Sequence, residues 1–227
     1  MKYEILYQPS FSLGVLTVEP GEEIQANGGA MVSMSPNMQL RTEMKGGFLG
    51  ALGRSVLGGE SFFTSKYEAV GGPGELTLAP TLPGDIAPLE LQGQTMFLKS
   101  GAFLGGSAAL NVDSKWGGSR GFFGSGSLFL LRVQGHGLLL FNTYGALHSK
   151  QLGAGERYIV DTDHVVAFSD GIGFAVKKAA AGWFASVASG EGLVCEFTGP
   201  GLIYMQTRSE AALVNWLIPK MPHHDNH

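Results

Sequence analysis

Apolar and polar positions in this chain alternate with a period of two over short stretches, and the stretches recur. Residues 18–35 read VEPGEEIQANGGAMVSMS, residues 90–107 read ELQGQTMFLKSGAFLGGS, and residues 152–169 read LGAGERYIVDTDHVVAFS. Each runs from a small turn residue through a short alternating strand and a break to a second apolar strand. With the turn glycines Gly21, Gly93 and Gly155 aligned, the apolar pairs Met31-Val32, Phe103-Leu104 and Val165-Val166 fall at the same offsets. A second element echoes behind each block: GPGELTLAP from Gly72, GHGLLLFNT from Gly135 and GPGLIYMQT from Gly199, spaced 63 and 64 residues apart. The pattern predicts an all-β protein built from three repeats, approximately 1–82, 83–147 and 148–210, with a short C-terminal helix and tail over 209–227.

Each repeat is expected to combine an N-terminal hairpin with a C-terminal one, the Gly-Pro-Gly and Gly-His-Gly sequences making tight hairpin turns. Between the hairpins lie glycine-rich segments, 45–60, 115–126 and 177–191, each opening at a lysine. They carry large apolar residues among the glycines: Phe48, Leu49 and Leu52, then Phe122 and Phe123, then Trp183 and Phe184. These seven form the candidate interaction surface. The runs LFLLRV (128–133) and GLLLF (137–141) do not alternate, as expected of strands covered on both faces. In LVCEF, Leu193, Cys195 and Phe197 share one face, whereas SFFTSKYEAV (61–70) loses register and suggests a bulge. Pro80, Pro83 and Pro88 are expected to stop strand continuation. The connectors are short, so the three units share one core. Ser209 is placed to cap a helix reaching Leu217, and GALGRSV (50–56) suggests another brief turn.

Composition sharpens this picture. Glycine supplies 35 of 227 residues, about twice the usual share, and charged residues are 15% where about 25% is ordinary. So little charge on so many strands leaves apolar surface to be covered, and a second copy of the chain is the expected cover. A peripheral membrane surface or another protein is the alternative partner. The net charge of −4, with 15 scattered basic residues, disfavours nucleic acid, whose backbone calls for clustered Lys and Arg. No apolar run reaches the roughly 18 residues of a membrane-crossing helix. MKYEILYQ at the N-terminus reads as a strand and not as a signal peptide. The expected compartment is the cytoplasm.

Candidate chemistry is sparse. Cys195 is the single cysteine and sits in an apolar strand, where a small buried core residue is expected. No P-loop occurs, and Ser55 has no evident histidine partner. Asp161, Asp163, His164 and Asp170 form the most chemically suggestive cluster. An Asx-type turn explains VDTDH more simply than a metal site does, because the other repeats have Gly-Ala at the same break. Arg208 is expected to pair with a carboxylate of a neighbouring unit, and His136 to serve as a turn residue. No catalytic residue, metal or cofactor is assigned, and no enzyme activity is expected.

The run VDTDHVVAFSD (160–170), followed by GEGLVCEFTGPGLIYMQTRS (190–209), resembles bacterial relatives of the mitochondrial "altered inheritance of mitochondria, number twenty-four" family. GGESFF (58–63) and GHGLLLFNTYGAL (135–147) fit the same pattern. The resemblance implies a fold similar to the tryptophan RNA-binding attenuation protein, with antiparallel β-sandwich-like units triplicated within one chain in a pseudo-threefold arrangement. It implies no catalytic residues, and a shared fold does not carry RNA binding with it. Three expectations follow: a self-associating scaffold presenting the glycine-aromatic loops, a small-ligand module at repeat interfaces, and RNA binding by analogy of fold.

Overall fold

The computed structural model describes residues 1–41, 64–113, 129–178 and 193–221. They are mostly β-strand, in antiparallel sheets, with one short helix near the C-terminus. The first third contains β1 (Lys2–Leu6), β2 (Leu13–Val18), β3 (Glu23–Asn27), β4 (Met31–Met34), β5 (Met38–Arg41), β6 (Thr64–Ala69) and β7 (Gly74–Leu78). The middle contains β8 (Ile86–Lys99), β9 (Phe103–Ser107), β10 (Asn111–Asp113) and β11 (Leu130–Asn142). The last third contains β12 (Leu147–Leu152), β13 (Arg157–Asp161), β14 (Val165–Ser169), β15 (Gly173–Lys178), β16 (Leu193–Thr198), β17 (Gly201–Gln206) and the helix α1 (Glu210–Leu217).

One pairing scheme recurs. β2 pairs β7, the first half of β8 pairs the second half of β11, and β12 pairs β17. In the same way β3 pairs β6, the second half of β8 pairs the first half of β11, and β13 pairs β16. The expected hairpins are therefore absent: strands adjacent in sequence do not pair with each other across the aligned glycines. The early pair of strands runs against the late pair as one long ribbon, unbroken in the middle third, where β8 and β11 stay in register except for a shift between Gln134 and His136. Gly72-Pro73-Gly74 and Gly199-Pro200-Gly201 carry the chain from one sheet to another, and Gly135-His136-Gly137 bends a continuous strand. The reason is steric. A Cβ on Gly74 would lie 2.4 Å from the Met38 sulfur, and Gly137 combines φ +130° with a would-be Cβ 2.6 Å from Ser107 Oγ. These glycines admit a crossing chain, not a reversal. His136 lies over Gly93, whose added Cβ would meet the ring at 3.3 Å.

Two further expectations are corrected. Pro88 does not stop a strand but sits inside β8, opposite Leu140. That stretch of β8 has a neighbour on one side only, so the missing N–H costs no ladder bond. Within Thr64–Ala69 the pairing with β3 and β5 is uninterrupted. The bulges lie elsewhere, at Met31/Ser33 in β4, between Leu140 and Phe141 where β11 meets β9, and at Val165/Ala167 in β14. The face expected for LVCEF is as read, with Cys195 and Phe197 fully buried. Ser209 caps α1, its Oγ accepting from the Ala212 N–H at 3.1 Å.

Two joints weld these ribbons together. β9 pairs β3 and β14 pairs β8, so the strand order runs β12-β17-β14-β8-β11-β9-β3-β6-β5 through one sheet of ten strands that also holds β10. The core follows the joints. Leu104 and Leu138 from the middle third pack with Leu16, Ile24 and Leu76 from the first. Val166 and Ala167 pack with Leu98, Phe103 and Phe141. Each such side chain, fully buried, contributes roughly 1.5–3 kcal/mol. Asp85, also buried, pins the connector between the first two ribbons by accepting from Gln8 Nε2 at 2.9 Å, Ser12 Oγ at 3.0 Å and the Ile86 N–H at 2.8 Å.

Candidate functional site

The seven residues of the expected interaction surface, Phe48, Leu49, Leu52, Phe122, Phe123, Trp183 and Phe184, lie outside the described residues, as does GALGRSV (50–56). Their segments occupy equivalent positions, between β5 and β6, β10 and β11, and β15 and β16. The third begins later than read from sequence, because Lys177 belongs to β15 and pairs with Glu196 of β16 at 2.9 Å. Arg157 of β13 also contacts Glu196, and the two cations hold its carboxyl below the ordinary carboxylate value.

The polar cluster of the third repeat is a turn. Asp161 accepts from the Asp163 N–H at 2.9 Å, Asp163 accepts from Ser209 Oγ at 3.1 Å, and Asp170 accepts from the Gly171 N–H at 2.9 Å. His164 Nδ1 lies 2.7 Å from the Gln206 carbonyl, and Gln206 donates to the Asp163 carbonyl at 2.9 Å. These groups fasten the end of β17 and the start of α1 to the turn after β13. No three metal-ligating side chains converge among the described residues. Arg208 makes no ion pair there and donates instead to the Thr207 carbonyl at 3.5 Å. Burial, with Asp161 adding to it, pushes the Cys195 thiol up to about 12, which removes the thiolate a nucleophile needs.

A cavity of about 210 Å³ lies where residues of all three thirds meet. Asn27, Thr81, Lys99, Asn142, Tyr144, Gln206 and Glu210 supply its polar lining, and Leu104 and Val166 are among its apolar residues. Sequence reading placed binding at such interfaces only in general terms, since the lining is drawn from strand ends far apart along the chain.

Uncovered apolar side chains lie elsewhere among the described residues. α1 buries none of its residues, and Val214, Trp216, Leu217, Ile218 and Met221 are all exposed. Lys220 covers the Trp216 ring on one side, its Nζ 4.5 Å from the centroid. The other feature is a pair of sheet edges. β4 ends the sheet β1-β2-β7-β4, and β13 ends the sheet β13-β16-β15. Every residue of β4 is exposed, Val32 at 57%, and Ile159 of β13 is 54% exposed. Both edges present unpaired backbone beside apolar side chains, the arrangement that recruits another strand.

Sequence comparison places this architecture among known proteins. A profile described as "Mitochondrial biogenesis AIM24" matches residues 3–208. The chain belongs to that family. An uncharacterized protein of Streptococcus pyogenes serotype M6 is 34% identical over 215 residues, which cover 91% of this chain and 86% of the relative. A Streptococcus pyogenes protein whose crystal structure was determined as a structural genomics target superposes with a TM-score of 0.78 at 30% identity, over 97% of this chain and 99% of that one. The family resemblance read from VDTDHVVAFSD and GPGLIYMQTRS therefore holds at the level of the family. Among the described residues no helix is long and apolar enough to cross a membrane.

Proposed function

We propose that this member of the AIM24 family is a non-enzymatic, self-associating β scaffold. Its three repeats, 1–82, 83–147 and 148–210, follow one another in an arrangement similar to the tryptophan RNA-binding attenuation protein, and its glycine-aromatic loops are presented to a partner. The observation that carries this reading is uncovered apolar surface on ordered elements, at β4, at Ile159 and along α1, in a chain with only 15% charged residues. Sedimentation velocity over a hundredfold range of protein concentration tests it. Species of integral multiple mass are expected, and a monomer throughout the range overturns self-association. Replacing Phe48, Phe122, Phe123, Trp183 and Phe184 by serine tests the loops separately: partner recovery is expected to fall while the fold is kept.

The cavity supports a second reading, a small-ligand module at the junction of the repeats. Its mixed lining, the Lys99 ammonium and the Glu210 carboxylate with three amides, a threonine hydroxyl and a phenol beside Leu104 and Val166, suits a small molecule with an apolar body whose charged end meets Lys99. A thermal shift with short-chain carboxylates, lost in Lys99→Ala, is the expected result. No observation favours RNA binding over either reading.

A further inference from the structure

The two joints inside the chain share one register. At the first, Ile24, Gln25 and Ala26 of β3 face Ser107, Gly106 and Gly105 of β9. At the second, Met96, Phe97 and Leu98 of β8 face Ser169, Phe168 and Ala167 of β14. Moving along the repeat, the β3 side advances by 72 residues (93 − 21) and the β9 side by 62 (155 − 93), the spacings of the aligned turn glycines. The second joint is thus the first, displaced by one repeat. Displacing it once more leaves two strands without partners. The successor of β3 and of the second half of β8 is β13, and the predecessor of β9 and β14 is β4. Each ends its sheet on that side.

We infer that β4 of one copy of this chain pairs antiparallel with β13 of a second copy, with Ser33 facing Val160, Met34 facing Ile159 and Ser35 facing Tyr158. The inference rests on the self-association reading and specifies where it happens. Burial argues for it position by position. Phe103 and Val165 are 0% exposed and Met31, at the same place in β4, is 39%. Leu104 and Val166 are 2% and 1% exposed, and Val32 is 57%. Phe97 and Gln25 are each 7% exposed, and Ile159 is 54%. The residues keep the shape of a joint and lack only the facing strand.

The backbone at the open edge is also prepared as at the made ones. Ser107 Oγ and Ser169 Oγ accept from the N–H groups of Leu138 and Leu202 at 3.0 and 2.9 Å. Ser35 Oγ accepts in the same way from the Glu75 N–H at 2.9 Å. β4 carries no charge to repel a neighbour, and Arg157 at the end of β13 is already engaged by Glu196. One difference weakens the joint. Ala108 and Asp170 donate their N–H groups across the made joints, to the carbonyls of Glu23 and Thr95, but the corresponding residue is Pro36, which has none. The joint between copies is therefore a bond shorter and more readily reversed. Since each copy offers one edge of each kind, the contact is head-to-tail, and repetition closes a ring or extends a filament.

Cysteine pairing tests the register. Residues directly opposite on antiparallel strands have Cα atoms about 4.5–5.5 Å apart, within disulfide reach, and buried Cys195 does not compete. Chains carrying Met34→Cys, mixed with chains carrying Ile159→Cys and oxidised, are expected to give one crosslinked dimer that neither variant forms alone. Ser35→Cys with Ile159→Cys, one residue out of register, is expected to give none. In the double variant, Met34→Cys with Ile159→Cys on one chain, crosslinked multimers are expected. A crosslink confined to the monomer, or Met34→Cys chains joining to each other, overturns the inference. Ile159→Lys is an independent check, because an exposed lysine spares the fold but opposes the joint. Loss of the larger species is expected, with an unchanged thermal melt. Larger species that persist in Ile159→Lys and in the absence of the mixed crosslink overturn the joint while leaving self-association standing. Monomers throughout overturn both.

Discussion

The joint between β3 and β9 and the open edge at β4 are built from equivalent sequence and differ in what covers them. Leu104 and Val32 occupy the same bulge position, one sealed between ribbons and the other half in solvent. The apolar pair in each aligned block therefore does not encode burial. It encodes a strand able to be buried, and the next ribbon decides whether it is.

The largest expected effect breaks that comparison at its centre. Leu104→Ala is expected to cost about 2–5 kcal/mol in urea unfolding, as for other buried leucines. Val32→Ala is expected within about 0.5 kcal/mol in dilute solution. At high protein concentration its cost should rise, since a contact between copies stabilises only as copies meet; a cost independent of concentration would mean that Val32 joins nothing. Next is Asp85→Ala at the made connector. It leaves Gln8, Ser12 and the Ile86 N–H without their common acceptor, and a loss of about 2–3 kcal/mol is expected for such buried groups, measured by the same unfolding curve.

Gly106→Ala probes the close approach of β9 to β11, where a Cβ would lie 2.4 Å from the Leu138 carbonyl oxygen. A cost of about 1–3 kcal/mol is expected. Met34→Ala, at the equivalent place on the open edge, should be nearly silent in the monomer. The smallest effect concerns pH. The Cys195 thiol is raised from 9.0 to about 12 by burial and Asp161. The unfolded chain therefore ionises first, and the folded state loses stability as pH rises from 9 toward 12. Below pH 9 this group contributes no pH dependence, and Cys195→Ala should flatten only the alkaline limb of a stability–pH curve. Slow alkylation of the native protein near pH 8 is the companion measurement.

Much of the fold was legible in the period-two pattern. Strand positions in LVCEF, the Ser209 cap and the turn at Asp161 follow from local chemistry, because alternation, helix capping and Asx turns involve neighbours a few residues apart. The recurrent Ser35, Ser107 and Ser169 at the end of each aligned block were also present to be read, and each proves to accept an N–H from the strand that follows the Gly-x-Gly corner. The expected hairpins failed for a reason equally physical. Glycine serves a tight reversal and a strand crossing alike, and only the contacts around Gly74 and Gly137 separate the two. Pro88 misled in the same way, being harmful to a strand with two neighbours and harmless on an edge. The loop aromatics stand out in composition but lie outside the described residues, while the edges at β4 and β13 look in sequence like the strands that are covered.

Composition and repetition thus settled that this is a β protein made of the same apolar blocks three times over, since both depend on the residues alone. Which strands pair, which glycines cross, and which strands are left as edges were decided by packing. Pairing joins residues as far apart as Ile24 and Ser107, and their competition for partners is resolved only when every ribbon is in place.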